Sequence, residues 1–199
     1  MKKVATSIIV LAVMVSLLTI SCNNQNKAKP LGVSVNITKE DKIKRGEYLV
    51  TIMGCDDCHT PKKMGPNGPE LDMDNRLSGH PAKMPLGAIH PEELKSWVLF
   101  NPTTTAFVGP WGISYSANLT PHETGVGAWS EQQFIKAIRE GKYKGMDNTR
   151  PLLPPMPWPS FSKASDEDLQ AIFSYLKSLK PVDNLVPPAV GPDKLASLK

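Results

Sequence analysis

Apolar residues recur at helical spacing in three stretches of this chain. Over 39–53, Ile43, Gly46, Val50 and Met53 fall on one helix face. Thr38 stands at the N-cap with Asp41 three residues on, a capping box, and Gly54 supplies a left-handed stop. Over 131–140 the apolar face holds Phe134, Ile135 and Ile138, with Ser130 and Gln133 as the capping pair and Gly141 beyond the last turn. Over 166–179, Leu169, Ile172, Phe173 and Leu176 repeat at i, i+3, i+4, i+7. Ser165 and Asp168 cap that helix and Pro181 stops it. A shorter helix is predicted over 91–99, with Pro91 in its first turn and Leu94, Trp97 and Val98 facing inward. The rest of 60–128 shows no period, although unstructured connections of that length are uncommon in compact domains. The pattern predicts an all-α fold.

The N-terminus reads differently. Met1-Lys2-Lys3 is a basic start, and residues 4–20 are apolar or small. Residues 1–21 are predicted to be a signal peptide. Cys22 directly follows Ile20-Ser21, which resembles the lipobox of bacterial lipoproteins. That resemblance implies a lipidated Cys22 and a domain exported from the cytoplasm, anchored by lipid to a bacterial membrane and facing the periplasm or cell exterior. A retained anchor helix would need about 20 apolar residues. The polar, aperiodic stretch that follows makes 22–37 the lipidated N-terminus and a flexible tether. The domain then spans 38–181, with 182–199 as a C-terminal tail.

Composition adds exclusions. Nineteen prolines, 14 glycines and 7% aromatics point to ordered loops rather than sheets. The net charge is +4 and falls to +2 once Lys2 and Lys3 are set aside, too weak a balance to argue for nucleic acid. The three cysteines are Cys22, Cys55 and Cys58.

Cys55-Asp56-Asp57-Cys58-His59 carries the chemistry. Two cysteines three positions apart followed by histidine form the attachment pattern of one covalent c-type haem. Each thiol adds across one vinyl group, and the adjacent imidazole then lies under the iron as a proximal ligand. A disulfide or thioredoxin-like pair would leave His59 unexplained and lacks a βαβ setting.

A helix ending at Cys-x-x-Cys-His, a middle helix, a proline-flanked methionine and a capped final helix resemble the class I cytochrome c fold. Ala117-Asn118-Leu119-Thr120-Pro121, Gly127-Ala128-Trp129-Ser130 and Pro155-Met156-Pro157-Trp158 look like blocks of the larger cytochrome c domains in membrane-bound dehydrogenase subunits and related lipoproteins. The resemblance covers 39–180. It implies that Gly46 meets Phe173 or Tyr175 where the first and last helices cross. The aperiodic 60–128, between the attachment motif and the middle helix, is read as a long insertion that wraps the haem's edges and propionate side. The single motif and the absence of internal repeats predict one haem.

Iron with one histidine takes a second ligand or keeps an open position. Met156 is the favoured ligand, since a soft thioether favours reduced iron and the flanking prolines restrict its backbone. Met53, Met64, Met73, Met84 and Met146 are rivals. His80, His90 and His122 could instead give bis-histidine iron, but each lies in a polar loop and reads as a surface residue. The carbonyl of Pro66, or else of Pro61, is expected to take the free ring nitrogen of His59. Trp111, Trp158, Tyr115, Asn118 and Arg150 are candidates for the propionates, and Lys62, Lys63 and Lys83 for steering an acidic partner. The reading is an electron carrier, not an enzyme, serving redox partners such as a dehydrogenase, an oxidase or another cytochrome. The alternatives are a peroxidase-like haem enzyme or ligand sensor with an open distal site, and a fixed subunit of a dehydrogenase or oxidase complex.

Overall fold

Helix α1 (Lys39–Ile52) starts at Thr38, whose hydroxyl accepts from the Asp41 N–H while the Asp41 carboxylate accepts from the Thr38 N–H, both at 3.1 Å. A computed structural model describes residues 37–90 and 92–197, so the predicted signal peptide, Cys22 and most of the tether lie outside the described residues. Met53 closes α1, and Gly54 turns left-handed at φ 68°. The five-residue helix α2 (Cys55–His59) follows at once. Helix α3 (Glu131–Glu140) carries the Ser130–Gln133 box and ends at left-handed Gly141. Helix α4 (Trp158–Phe161) is one turn, and α5 (Asp166–Leu176) completes the set. Only half of a box forms at α5. Ser165 Oγ accepts from the Asp168 N–H, while the Asp168 carboxylate accepts from Arg45 Nε at 2.9 Å and ties the start of α5 to α1.

Helices α1 and α5 cross at Gly46. A Cβ there would lie 2.0 Å from the Ala171 carbonyl oxygen and 2.7 Å from Tyr175 Cβ, so the crossing requires glycine. Of the two expected partners, Tyr175 is the one met. Phe173 instead packs on Phe134 of α3, with ring centroids 5.4 Å apart. Around this crossing Leu49, Val50, Ile138, Leu169, Ile172 and Leu176 form the core.

The all-α expectation is overturned by two antiparallel sheets. Strands β1 (Lys62–Gly65) and β2 (Gly68–Leu71) form a hairpin, and β3 (Leu99–Phe100), β4 (Ala106–Gly109) and β5 (Gly112–Tyr115) form a meander in that order. Both hairpins turn on the same four-residue pattern. Gly65 pairs with Gly68 across Pro66-Asn67, and Gly109 pairs with Gly112 across Pro110-Trp111. These strands escape a search for periodicity because they are at most four residues long, and because Ala106, Phe107 and Val108 are buried on both faces and so do not alternate. The helix expected over 91–99 is absent from its described part. One 3-10 turn forms at Glu93–Lys95, and Trp97 and Val98 are 69% and 49% exposed rather than inward.

The chain beyond Pro181 packs on the rest. Ile113 and Val190 exchange backbone hydrogen bonds at 2.8 and 3.0 Å. Asn184 Nδ2 donates to the carbonyls of Ser78 and His80, and its Oδ1 accepts from the Ala82 N–H. Among the described residues no helix is long and apolar enough to cross a membrane.

Candidate haem-binding site

The left-handed turn at Gly54 delivers Cys55 into the first turn of α2, with Cys58 one turn later on the same short helix. Both thiols are free and half-buried, not joined in a disulfide. Burial, helped by the neighbouring Asp56 carboxylate, pushes the Cys55 thiol up to about 12, and burial also raises Cys58. Both are therefore neutral thiols near pH 7.

Asp56, between the cysteines, anchors the helix. Its carboxylate accepts from Arg76 Nε at 3.0 Å, from Arg76 Nη2 at 2.8 Å and from Thr60 Oγ1 at 2.7 Å. Arg76 Nη1 also donates to Tyr175 Oη at 2.6 Å, linking α2 to α5. Burial alone would raise the Asp56 pKa, but the bonds from Arg76 and Thr60 outweigh it and hold the carboxyl below its ordinary value. Asp57 stays exposed, and its carbonyl takes bonds from Lys62 Nζ and from Thr104 Oγ1. Lys62 is thus engaged locally and is not a free steering charge.

His59 is held from two sides. Its carbonyl accepts from the Gly79 N–H at 2.8 Å, and its Nδ1 lies 2.8 Å from the Ala117 carbonyl. The expectation for Pro66 is corrected here: Pro66 sits in the β1–β2 turn, and Ala117, just past the end of β5, supplies the acceptor. With the Nδ1 proton committed, Nε2 is the ring nitrogen left able to ligate a metal. Burial lowers the imidazole pKa, opposed by the Ala117 bond and by Asp56.

Strand β5 also reaches the methionine loop. Ser114 Oγ donates to the Pro154 carbonyl at 2.6 Å, and Trp111 Nε1 donates to Ser114 Oγ at 3.2 Å. Leu152 N–H bonds the Gly141 carbonyl at 2.7 Å, so the loop is pinned to α3 as well. Its Met156 is half-buried and borders the same apolar cluster as Cys55. Strand β5 and the two residues beyond it therefore brace the His59 and Met156 segments together.

The rival ligands are placed differently. Met64, Met73 and Met146 are 80%, 57% and 51% exposed. Met53 packs on the core. Met84 Sδ accepts from Asn101 Nδ2 and Thr103 Oγ1, each at 3.6 Å. His90 is exposed, and His122 Nδ1 bonds Thr124 Oγ1. His80 is the correction: expected at the surface, it is fully buried. Three propionate candidates are already engaged, Trp111 through its bond to Ser114 Oγ. Asn118 Nδ2 binds the Val182 carbonyl and Thr124 Oγ1, and the Arg150 guanidinium stacks 4.0 Å above the Tyr143 ring.

Two free thiols on one turn, an imidazole oriented through Nδ1, and a thioether on the same apolar cluster form a donor set that fits a covalent haem. The fold and this donor set define a haem c electron-transfer domain. The cytochrome c family model matches residues 43–180. The chain is 33% identical over 134 residues to a gluconate 2-dehydrogenase cytochrome c subunit of Pantoea cypripedii, covering 67% of this chain and 22% of that protein. It is 32% identical over 145 residues to the cytochrome c subunit of a quinone-linked alcohol dehydrogenase of Gluconobacter oxydans, covering 72% of this chain and 23% of that one. A fructose dehydrogenase cytochrome subunit of Gluconobacter japonicus is 28% identical over 160 residues, covering 79% of this chain and 25% of that one. The chain belongs to the cytochrome c family. It spans about a quarter or less of the length of these relatives.

Proposed function

We infer that this protein is a membrane-tethered, one-haem electron carrier whose iron is held by His59 and Met156. Bound haem c supplies a one-electron couple between ferric and ferrous iron. Cys55 and Cys58 hold the macrocycle through thioether links, and burial keeps both thiols neutral until they are used. His59 presents Nε2 because Ala117 holds Nδ1. Met156 provides a neutral, soft donor on a loop whose backbone is limited by Pro154, Pro155 and Pro157 and tied to β5 through Ser114. No side chain serves as an acid, base or nucleophile. The observation that supports the reading is the shared brace, in which Ser114 of β5 bonds the Pro154 carbonyl and Ala117, two residues beyond β5, bonds His59. Denaturing mass spectrometry of the exported protein tests the attachment: the expected mass exceeds that of the polypeptide by one haem, and Cys55→Ala with Cys58→Ala abolishes the increment. A bare polypeptide mass for the wild type would end this reading.

The partner is a dehydrogenase at the membrane. Support comes from the relatives, which are named as cytochrome subunits of gluconate, alcohol and fructose dehydrogenases. In this reading residues 1–21 direct export, Cys22 carries the lipid, and 22–37 tether the domain off the lipid surface on the periplasmic or outer face. Support for this is the lipobox-like sequence alone. Cys22→Ser should release the protein from the membrane fraction into the soluble exported fraction. Unchanged fractionation would remove the lipid anchor from the account.

A further inference from the structure

His80 is an expensive residue where it stands. It is fully buried, and its Nε2 is the one buried side-chain nitrogen or oxygen without a hydrogen-bond partner among the described residues. The Met84 backbone comes near enough to favour a proton weakly, yet forms no bond of proper length and direction with it. A buried polar atom left unpaired costs more than an apolar replacement would. The compensation lies on the other side of the ring.

There, three bonds close a circuit. The His80 N–H donates to the Ser116 carbonyl at 2.9 Å, and the Ser116 N–H donates to the Thr105 carbonyl at 2.9 Å. His80 Nδ1 and Thr105 Oγ1 share the third bond, also at 2.9 Å. The circuit lies against the proximal histidine. Ala117, whose carbonyl takes His59 Nδ1, is the next residue after Ser116. Gly79, whose N–H binds the His59 carbonyl, is the residue before His80. Gly79 has φ +80°, and a Cβ on it would lie 2.5 Å from the Ser116 oxygen and 2.6 Å from the Ala117 carbonyl carbon. The Gly79-His80 and Ser116-Ala117 backbones are thus pressed together with His59 between their hydrogen-bonding groups. The Tyr115 ring, 4.9 Å from the imidazole by centroids, packs against the circuit.

We propose that His80 is a positioning residue for the proximal ligand: by closing the circuit with Thr105 and Ser116 it fixes the Ala117 carbonyl that orients His59 and sets the electron donation of its imidazole. This rests on the reading of His59 as an iron ligand. A carbonyl free to drift would accept the Nδ1 proton less well, making the imidazole a poorer donor and favouring the reduced form.

The test uses the haem-loaded full chain with His80→Phe, which keeps ring volume, Thr105→Val, which removes the hydroxyl, the double variant, and His80→Asn, which retains an amide donor near the Nδ1 position. Two readouts are taken: the midpoint potential, and the solvent-exchange rate of the His59 Nδ1 proton by paramagnetic NMR of the ferric protein. His80→Phe and Thr105→Val should each raise the potential and speed exchange by about tenfold, the order that one net hydrogen bond supports. The double variant should go no further than either single one, and His80→Asn should stay near wild type. Loss of thermal stability with potential and exchange both unmoved would overturn the proposal, leaving His80 a packing residue. If His80→Phe fails to fold, Thr105→Val alone decides by the same two readouts. His59→Ala separates the levels. If it leaves the spectrum unchanged, the ligation reading itself is wrong. If it changes the spectrum while the other variants move nothing, only the positioning role falls.

Discussion

Asp56 occupies a variable position of the attachment pattern, yet it is bonded more densely than either cysteine. Its side chain and that of Arg76 are only 11% and 19% exposed, which makes the pair an internal tie rather than a surface one. Arg76→Met should therefore cost about 3 kcal/mol of unfolding free energy, because a buried carboxylate is left unpaired. Chemical denaturation of the two proteins checks this. The pH dependence follows from the direction of the Asp56 shift. A carboxyl held below its ordinary value in the folded chain stabilises fully above about 3.9, and that contribution is lost as pH falls through the lowered value. Wild-type stability should drop steeply in this acid range, and the Arg76→Met variant should show a shallower slope there. Leu77 beside this pair adopts a left-handed backbone at φ 59° while fully buried. Its N–H bonds Thr60 Oγ1 at 2.9 Å and its carbonyl takes the Leu119 N–H at 2.8 Å, and these hold the strained residue.

At the scale of elements, the α1–α5 crossing leaves no room for a side chain at Gly46. Gly46→Ala places a methyl carbon where 2.0 Å separates it from backbone, so the helices must part. The expected cost is about 3 kcal/mol, the upper end of ordinary overpacking, read as a lowered midpoint of thermal unfolding with haem attachment retained. The three long helices were legible in the sequence because each carries both a cap and an apolar stripe, and the structure returns their starts at Thr38, Ser130 and Ser165. The sheets were not, since two- and four-residue strands have no room for a period. A signal was nevertheless present: Gly65-Pro66-Asn67-Gly68 and Gly109-Pro110-Trp111-Gly112 are both two-residue turns between glycines. Within the site, the attachment pattern was readable locally. Ala117 and His80 were not, because they meet His59 or its neighbours through backbone groups across long sequence separations, 58 residues in the case of Ala117.

For the whole molecule, the segment beyond Pro181 matters more than a tail would. Asn184 bonds Ser78, His80 and Ala82, and Val190 pairs with Ile113 of β5, so the C-terminal segment supports the brace of the His59 and Met156 segments. A chain ended after Pro181 should unfold at lower temperature than the full protein, with a second loss at the site: weaker retention of Met156 and a fraction of high-spin haem. Absorption spectra of the two holoproteins check this. The central claim, that His59 and Met156 together hold the iron of an electron carrier, is tested most directly by carbon monoxide titration of the ferrous holoprotein beside its Met156→Ala variant. The account predicts a low-spin, six-coordinate wild type that takes up carbon monoxide poorly and a variant that binds it readily. A wild type that is already high-spin and binds carbon monoxide as well as the variant would contradict it.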